Sequence, residues 1–311
     1  MAAAKPLLQK WSREVLYLLV PAALFFGVSL SAKINIGLRH ILPIYPFLLI
    51  LAGAAAWVLI ERKRTWAWVA GALVLFHVVS SLRAYPNYLP YSNELWGGPG
   101  KTYKVFADPN VDWGQGLKAV KRYVDDHRMS DCWLAYCGTV SPRHYNIPCR
   151  MLPGASGGIW GSTPDILPET IQGTVIIGIS EMSGLAYGPP ELNPYGQFLR
   201  AKPQTDIAGC MLVYKGSFDI RLLAAMTHNR KAWGYLQGGK LELALGEAQR
   251  ALALQPRDPR PYLLLGRIHK QRKQTAEARQ AYQRAIALAR SVGPEYFFYL
   301  IEYVQKELEG L

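Results

Sequence analysis

Three long apolar runs near the amino terminus constrain this chain more than any other feature of its sequence. Residues 15–32 and 41–60 contain no charged side chain. Residues 66–82 contain His77 as their only titratable group. About 20 consecutive apolar residues cross the hydrocarbon core of a bilayer as a helix. The sequence therefore predicts a membrane α-helical part with three helices over residues 1–84. A secretory signal peptide is the alternative for the first run, but two further spans follow it.

The basic residues follow the same organisation. The formal net charge is +13, which in a soluble protein would indicate nucleic acid; here Lys and Arg flank the spans, so we expect no nucleic-acid partner. Cytoplasmic ends of spans carry the excess of basic residues. Lys5, Lys10, Arg13, Arg62, Lys63 and Arg64 would lie on one side, against Lys33, Arg39 and Arg83 on the other. This count predicts that the chain after residue 82 lies on the non-cytoplasmic side.

The short loop between the first two spans is itself basic. Lys33, Arg39 and His40 could together hold an anion at the level of the lipid headgroups. A lipid-linked phosphate suits such a loop, because Arg binds phosphate through two hydrogen bonds while the lipid tail stays in the bilayer. The alternative is that these residues contact ordinary headgroups.

Residues 85–218 are typical of a small α/β domain. Short runs rich in β-branched and aromatic residues predict strands at residues 103–107, 132–138, 174–180 and 211–215. Leu117, Val120 and Val124 recur at helical spacing and predict a helix over residues 114–127, for which Asp112 or a neighbour is the candidate N-cap. The long connection over residues 141–169 is rich in Pro and Gly and indicates a functional loop or lid.

The stretch DPNVDWGQ contains three candidate ligand-binding side chains, Asp108, Asp112 and Trp113. The two carboxylates could contribute to a divalent-cation site, and the flat indole could stack on a sugar ring. Two carboxylates alone do not make a metal site, so no cofactor is identified. The alternative is a capping Asp beside a structural Trp.

The four cysteines all fall in the middle of the chain, without a Cys-x-x-Cys pair that would indicate zinc. In an oxidising compartment a disulfide is possible, and closeness in sequence favours Cys137 with Cys149. The alternative is that the cysteines are small buried apolar residues.

The last part of the chain, residues 219–311, repeats with a period of 34. Ala244 and Ala251 in one unit align with Ala278 and Ala285 in the next. With Tyr262, Leu265 and Gly266, these positions resemble tetratricopeptide repeats, and Lys231 is a departure where a leucine is expected. The spacing predicts helix starts near Asp219, Lys240, Arg260 and Thr275. Residues 294–308 form an apolar stripe that either caps the stack or docks a partner, and the resemblance implies a protein partner for the repeats.

Two longer segments resemble one enzyme family. INIGLRHILPIYPFLLIL, residues 34–51, and YPNYLPYSNELWGGPGKTYKVFADPNVDWGQGLKAVKRYV, residues 85–124, are similar to the late spans and the following segment of membrane glycosyltransferases related to protein O-mannosyltransferases. The resemblance implies a polyprenyl-phosphate-linked sugar donor and, through its bacterial members, the bacterial inner membrane. Such enzymes have many more spans before this part and a catalytic acidic residue in their first external loop, and no acidic residue here corresponds to it.

The sequence therefore predicts the C-terminal portion of such a glycosyltransferase, with its catalytic residue unknown. This portion would bind lipid phosphate and a protein partner, and would not catalyse transfer alone. The alternative is a membrane-anchored repeat scaffold without catalysis.

Overall fold

The computed structural model describes residues 12–31, 37–104, 111–154, 165–184 and 187–311. The chain divides into two compact units, Met1–Thr102 and Tyr103–Leu311. Each unit is described by itself below.

The first unit contains three long apolar helices. They are α1 (Ser12–Ser31), α2 (Tyr45–Arg62) and α3 (Thr65–Ala84). Each is long and apolar enough to cross a membrane, and only 6% of the apolar window of each is buried inside the protein. Helices of this length and composition indicate a membrane protein. The prediction of three long apolar helices is confirmed.

Short 3₁₀ helices border the spans. Gly37–His40 and Leu42–Ile44 lead directly into α2, and Glu94–Trp96 and Pro99–Lys104 follow α3. The predicted strand at residues 103–107 is wrong at Tyr103 and Lys104, which end the last of these helices; residues 105–107 lie outside the described part of the chain. Pro99 holds φ near the helical value, which favours the start of a helical turn there.

The second unit begins with a mixed five-stranded sheet. Its strands are β1 (Trp133–Ala135), β2 (Arg150–Met151), β3 (Thr170–Gly178), β4 (Thr205–Ile207) and β5 (Met211–Asp219). The order across the sheet is β2-β1-β3-β5-β4. β1 runs parallel to β2 and β3, whereas β5 runs antiparallel to β3 and β4. Each of the predicted strands at residues 132–138, 174–180 and 211–215 overlaps one of these strands.

Helix α4 (Leu117–Asp126) packs on this sheet through its apolar face. Leu117, Val120 and Val124 are all buried, as their helical spacing predicts. The predicted N-cap is wrong: Gly116 is the N-cap residue, and no side chain caps the helix. Asp112 instead accepts a hydrogen bond from the backbone N–H of Gly114, at 2.9 Å.

The disulfide joins Cys132 to Cys149, so the predicted pair Cys137–Cys149 is wrong. The reason is strand pairing. Cys132 and Cys149 each precede a strand, and the parallel register pairs Trp133 with Arg150, which brings the two cysteine Cα atoms within 4.3 Å. Cys137 follows the other end of β1 and is not part of this disulfide.

Two short helices, α5 (Ile179–Met182) and α6 (Gly196–Arg200), follow β3. Five longer helices end the chain: α7 (Arg221–Gln237), α8 (Leu241–Leu254), α9 (Arg260–Gln271), α10 (Thr275–Val292) and α11 (Phe298–Glu309). The predicted helix starts are confirmed within two residues. Gly239 and Lys273, which are 34 residues apart, both have positive φ (69° and 60°) in the connections after α7 and α9.

The last helix covers one end of this stack. Phe297 and Val304 are buried, and Phe297 packs with Ala289 and Leu192. These contacts favour the capping interpretation of residues 294–308 over partner docking. Tyr296, which was expected on the same apolar stripe, is 44% exposed.

The crossing of α9 and α10 generates a testable prediction. A Cβ atom at Gly266 would lie 2.3 Å from the ring of Tyr282, which is fully buried, whereas a Cβ at Gly246 in α8 would meet nothing within 4 Å. We expect Gly266→Ala to lower the free energy of unfolding by about 1–3 kcal/mol, because the overpacked ring must move. Thermal unfolding followed by circular dichroism measures this.

The matched control is Gly246→Ala, which is helical and open. It should stabilise the protein by about 0.5–1 kcal/mol through the higher helix propensity of alanine. Equal effects of the two substitutions would contradict the close crossing at Gly266.

Candidate functional site

The residues predicted to bind lipid phosphate are only partly described. His40 ends the 3₁₀ helix before α2 and is half-buried. The backbone of Arg39 belongs to the same helix, but its side chain lies outside the description, as does all of Lys33. Of these three side chains, only that of His40 belongs to the described part of the chain.

Asp112 and Trp113 lie at the carboxyl edge of the parallel strands, while Asp108 is outside the described residues. Gly178, the last residue of β3, leaves room for the Asp112 carboxyl group. A Cβ atom at Gly178 would lie 2.4 Å from Oδ2 of Asp112. In open α/β sheets ligands bind beyond this edge. Trp113 is 53% exposed, so its ring is accessible, whereas Asp112 is completely buried.

The carboxyl group of Asp112 is held in an environment that disfavours its charge. Burial, followed by the charge of Glu181, raises its pKa to about 7 although the Gly114 hydrogen bond opposes the shift. Its backbone oxygen accepts a hydrogen bond from the Ser180 hydroxyl at 2.8 Å. Among the described residues Oδ2 has no hydrogen-bond partner. The protonated form is therefore favoured in the folded protein below pH 7.

A second buried polar cluster lies beside Asp112 and was not predicted. It consists of Glu181 in α5, Tyr187, Tyr195 and Arg230. The Tyr187 hydroxyl donates to the Glu181 carboxylate, and Tyr195 donates to the backbone oxygen of Pro153 at 2.6 Å. Arg230 reaches the Gly154 oxygen at 3.4 Å. The only sequence signal for this cluster was the charged Glu181 directly after an apolar strand.

Burial dominates the electrostatics of this cluster. It raises the pKa values of Tyr187 and Tyr195 and lowers that of Arg230. The charge of Glu181 partly opposes the lowering of the Arg230 pKa, because it favours the charged guanidinium. The two tyrosines stay neutral and act as hydrogen-bond donors. This cluster connects the chain after β2 and after β3 to α7.

No three His, Cys, Asp or Glu side chains in the described parts of the chain come together as the ligands of a metal would. The divalent cation considered for Asp108 and Asp112 thus gains no support from the described residues. The carboxyl edge of the sheet thus holds buried carboxyl groups, Asp112 and Glu181, beside the accessible indole ring of Trp113.

A second candidate site lies on the C-terminal helices, in a groove between α7, α9 and α11. Arg267 stacks between the rings of Trp233 and Tyr303, with its guanidinium carbon 4.7 and 4.6 Å from the two ring centres. Lys270 pairs with Glu307 at 3.0 Å. A cavity of about 400 Å³ opens here, lined by Leu236, Gln237, Arg267, Lys270, Gln271 and Glu307. Trp233 and Arg267 are 34 residues apart, so the repeat period itself could have identified this pair.

No family model and no curated protein sequence matches this chain.

The pKa of Asp112 generates a prediction about stability and pH. A carboxyl whose folded pKa is raised to about 7 from 3.8 stabilises the folded state at low pH, and this contribution is lost as pH rises from about 4 through 7. Asp112→Asn keeps the acceptor for Gly114 but removes the charge. We expect it to raise the free energy of unfolding at pH 8, by up to about 4 kcal/mol from the size of the shift, and to change it little at pH 4.

Thermal unfolding of the detergent-solubilised chain at the two pH values measures this effect. Asp126→Asn is the matched control, since Asp126 is exposed on α4. A pH-independent effect of Asp112→Asn would contradict the protonation of the buried carboxyl.

Proposed function

We propose that this chain is the C-terminal portion of a membrane glycosyltransferase that takes its sugar from a polyprenyl phosphate. The observation that carries the proposal is the position of Arg39 and His40. Their 3₁₀ helix ends two residues before the candidate span Leu42–Arg62, so in this proposal their backbone lies where the chain enters the bilayer. A phosphate bound there would keep its lipid tail in the hydrocarbon, which is the geometry that such a donor requires. The resemblance of residues 34–51 and 85–124 to this family supports the same assignment.

In this proposal the chain binds the donor and does not supply the catalytic base. Lys33, Arg39 and His40 neutralise the lipid-linked phosphate, and an acidic residue outside the resembling segments activates the acceptor. Trp113 is the candidate sugar contact, because its exposed indole can stack on a sugar ring. Asp112 is buried beside it and positions the loop that carries it.

The second unit would lie on the non-cytoplasmic side of the bacterial inner membrane. Two independent observations support this orientation. Basic residues flank the spans six to three in its favour. The Cys132–Cys149 disulfide is typical of an oxidising compartment.

The phosphate site is tested by charge reversal. Arg39→Glu should abolish binding of a radiolabelled polyprenyl-phosphate analogue to the full chain in detergent, because it replaces a bidentate donor with a repelling carboxylate. Size-exclusion chromatography confirms that the variant is folded.

Arg83→Glu is the matched control, since it reverses one charge at the end of α3 on the same membrane face. It should bind the analogue like the unaltered chain. Unchanged binding by Arg39→Glu, or equal loss in both variants, would contradict a specific phosphate site at Arg39.

The second candidate function is that of a membrane-anchored scaffold whose helical repeats, tetratricopeptide-like by resemblance, bind a protein. The groove between α7, α9 and α11 favours it. Its Trp233–Arg267–Tyr303 stack presents aromatic and arginine side chains, the types that contribute most to protein interfaces. Residues 219–311 contain 15 basic and 9 acidic residues, so an acidic segment is the favoured ligand.

Phage-displayed peptides selected on the full chain test the scaffold. Trp233→Ala should weaken binding of the selected peptides by roughly 30-fold, the effect of losing an interface residue worth about 2 kcal/mol. Fluorescence anisotropy measures the affinities. Leu243→Ala, an exposed apolar position on α8, should leave them unchanged. Selected peptides that bind both variants equally would exclude the groove as their site.

A further inference from the structure

In the last turn of α3 and the segment that follows it, three small polar side chains are buried while five large apolar side chains are exposed. Ser80, Ser92 and Thr102 are 4%, 3% and 0% exposed. The apolar and aromatic side chains of the same segment face outward: Tyr85 (70%), Tyr88 (55%), Leu89 (43%), Leu95 (93%) and Trp96 (59%). Water selects the opposite distribution, in which large apolar side chains turn inward. This inverted pattern indicates an apolar environment around the segment.

Hydrogen bonds hold the segment in this arrangement. The Ser80 hydroxyl donates to the Glu94 carboxylate at 2.6 Å and lies 2.6 Å from the Tyr91 hydroxyl. Ser92 donates to the Gly98 oxygen at 2.8 Å, and Thr102 donates to the Pro90 oxygen at 2.9 Å. The outward position of Leu95 and Trp96 is therefore a property of an ordered turn.

The Ser80 hydrogen bonds also fix the depth of the segment. Ser80 lies one turn before Ala84, the last residue of α3, and a helix rises 1.5 Å per residue, so Ser80 is about 6 Å below the end of the span. Glu94 lies beside Ser80. The chain has thus folded back along the last turn of α3, and Leu95 and Trp96 come directly after this contact.

We propose that residues 85–96 form an interfacial anchor, in which Leu95 and Trp96 insert into the lipid leaflet where α3 ends. The segment directly follows α3, a candidate span of whose apolar window only 6% is buried. Tyr and Trp are the residues enriched at this level of a membrane. Interfacial elements bury their apolar face about 5–10 Å into the boundary between headgroups and acyl chains.

The carboxylate of Glu94 is compatible with this position. Its pKa is lowered, first by the Ser80 hydrogen bond and to a lesser extent by the charge of Arg83, so it stays ionised. An ionised group belongs at the headgroup level rather than in the hydrocarbon. The last turn of α3, where Ser80 binds Glu94, therefore lies at the headgroup level, and the next two side chains reach from there to the acyl chains.

The anchor is independent of the proposed glycosyl transfer and is tested by site-specific photocrosslinking. The photoreactive amino acid p-benzoylphenylalanine is incorporated at Leu95 in the full chain, which is reconstituted in vesicles of phosphatidylethanolamine and phosphatidylglycerol with a radiolabelled acyl chain. Leu73, in the middle of α3, is the positive control, and Lys101, in the 3₁₀ helix after the anchor, is the negative control. We expect lipid adducts at Leu95 comparable with those at Leu73, and no adduct at Lys101.

Two outcomes would overturn the proposal. Position 95 could give no lipid adduct, or no more than Lys101 gives, which would place it in water. It could instead crosslink to protein in intact membranes, which would show that another polypeptide covers the patch. A second photoreactive variant at Trp96, judged in the same way, prevents a local folding defect at position 95 from deciding the result.

Discussion

The bilayer is the constraint on which the first unit depends. Three helices present apolar side chains on nearly every face, and almost none of that surface is buried within the protein. Lipid therefore does for this unit what a hydrophobic core does for a soluble domain. The same constraint explains the segment after α3, whose serines and threonine turn inward. Both features follow from a solvent in which polar groups must find partners within the protein.

In the second unit, the parallel pairing of β1 with β2 and β3 determines the positions of the disulfide and of the buried Asp112 carboxyl group. It aligns the residues before β1 and β2, so Cys132 meets Cys149. It also brings the ends of β1 and β3 to one edge, where Asp112 packs against Gly178. The disulfide and the buried carboxyl thus lie at opposite ends of the same short strand. One register decides both, and this register cannot be read from spacing along the chain.

The sequence predicted what depends on local pattern. Hydrophobic length predicted the three spans, and periodicity predicted α4 and the starts of α7 to α10. The sequence-based predictions failed where pairing with a distant strand determines the structure. The Cys137–Cys149 pair was chosen because the two residues are close in sequence. Asp112 was chosen as a helix cap because it precedes a helix. The cluster of Glu181, Tyr187 and Arg230 joins α5, the loop after it and α7, so the one local signal, a charged residue after an apolar strand, could not reveal its partners. Lys33 and Asp108 lie outside the described residues, and their roles stay predictions.

The C-terminal helices separate positions that pack from positions that remain accessible. Ala232 and Gly266 are 34 residues apart and both buried. At Gly266 the crossing leaves no room for a larger side chain, because a Cβ atom would lie 2.3 Å from the Tyr282 ring. The next residues, Trp233 and Arg267, are equally spaced but face the groove, where packing does not restrict their size. The repeat therefore aligns two unlike side chains with each other, and the second stacks on the first. The 34-residue spacing thus places a stacked aromatic and cationic pair directly after a buried small residue in each of two helices.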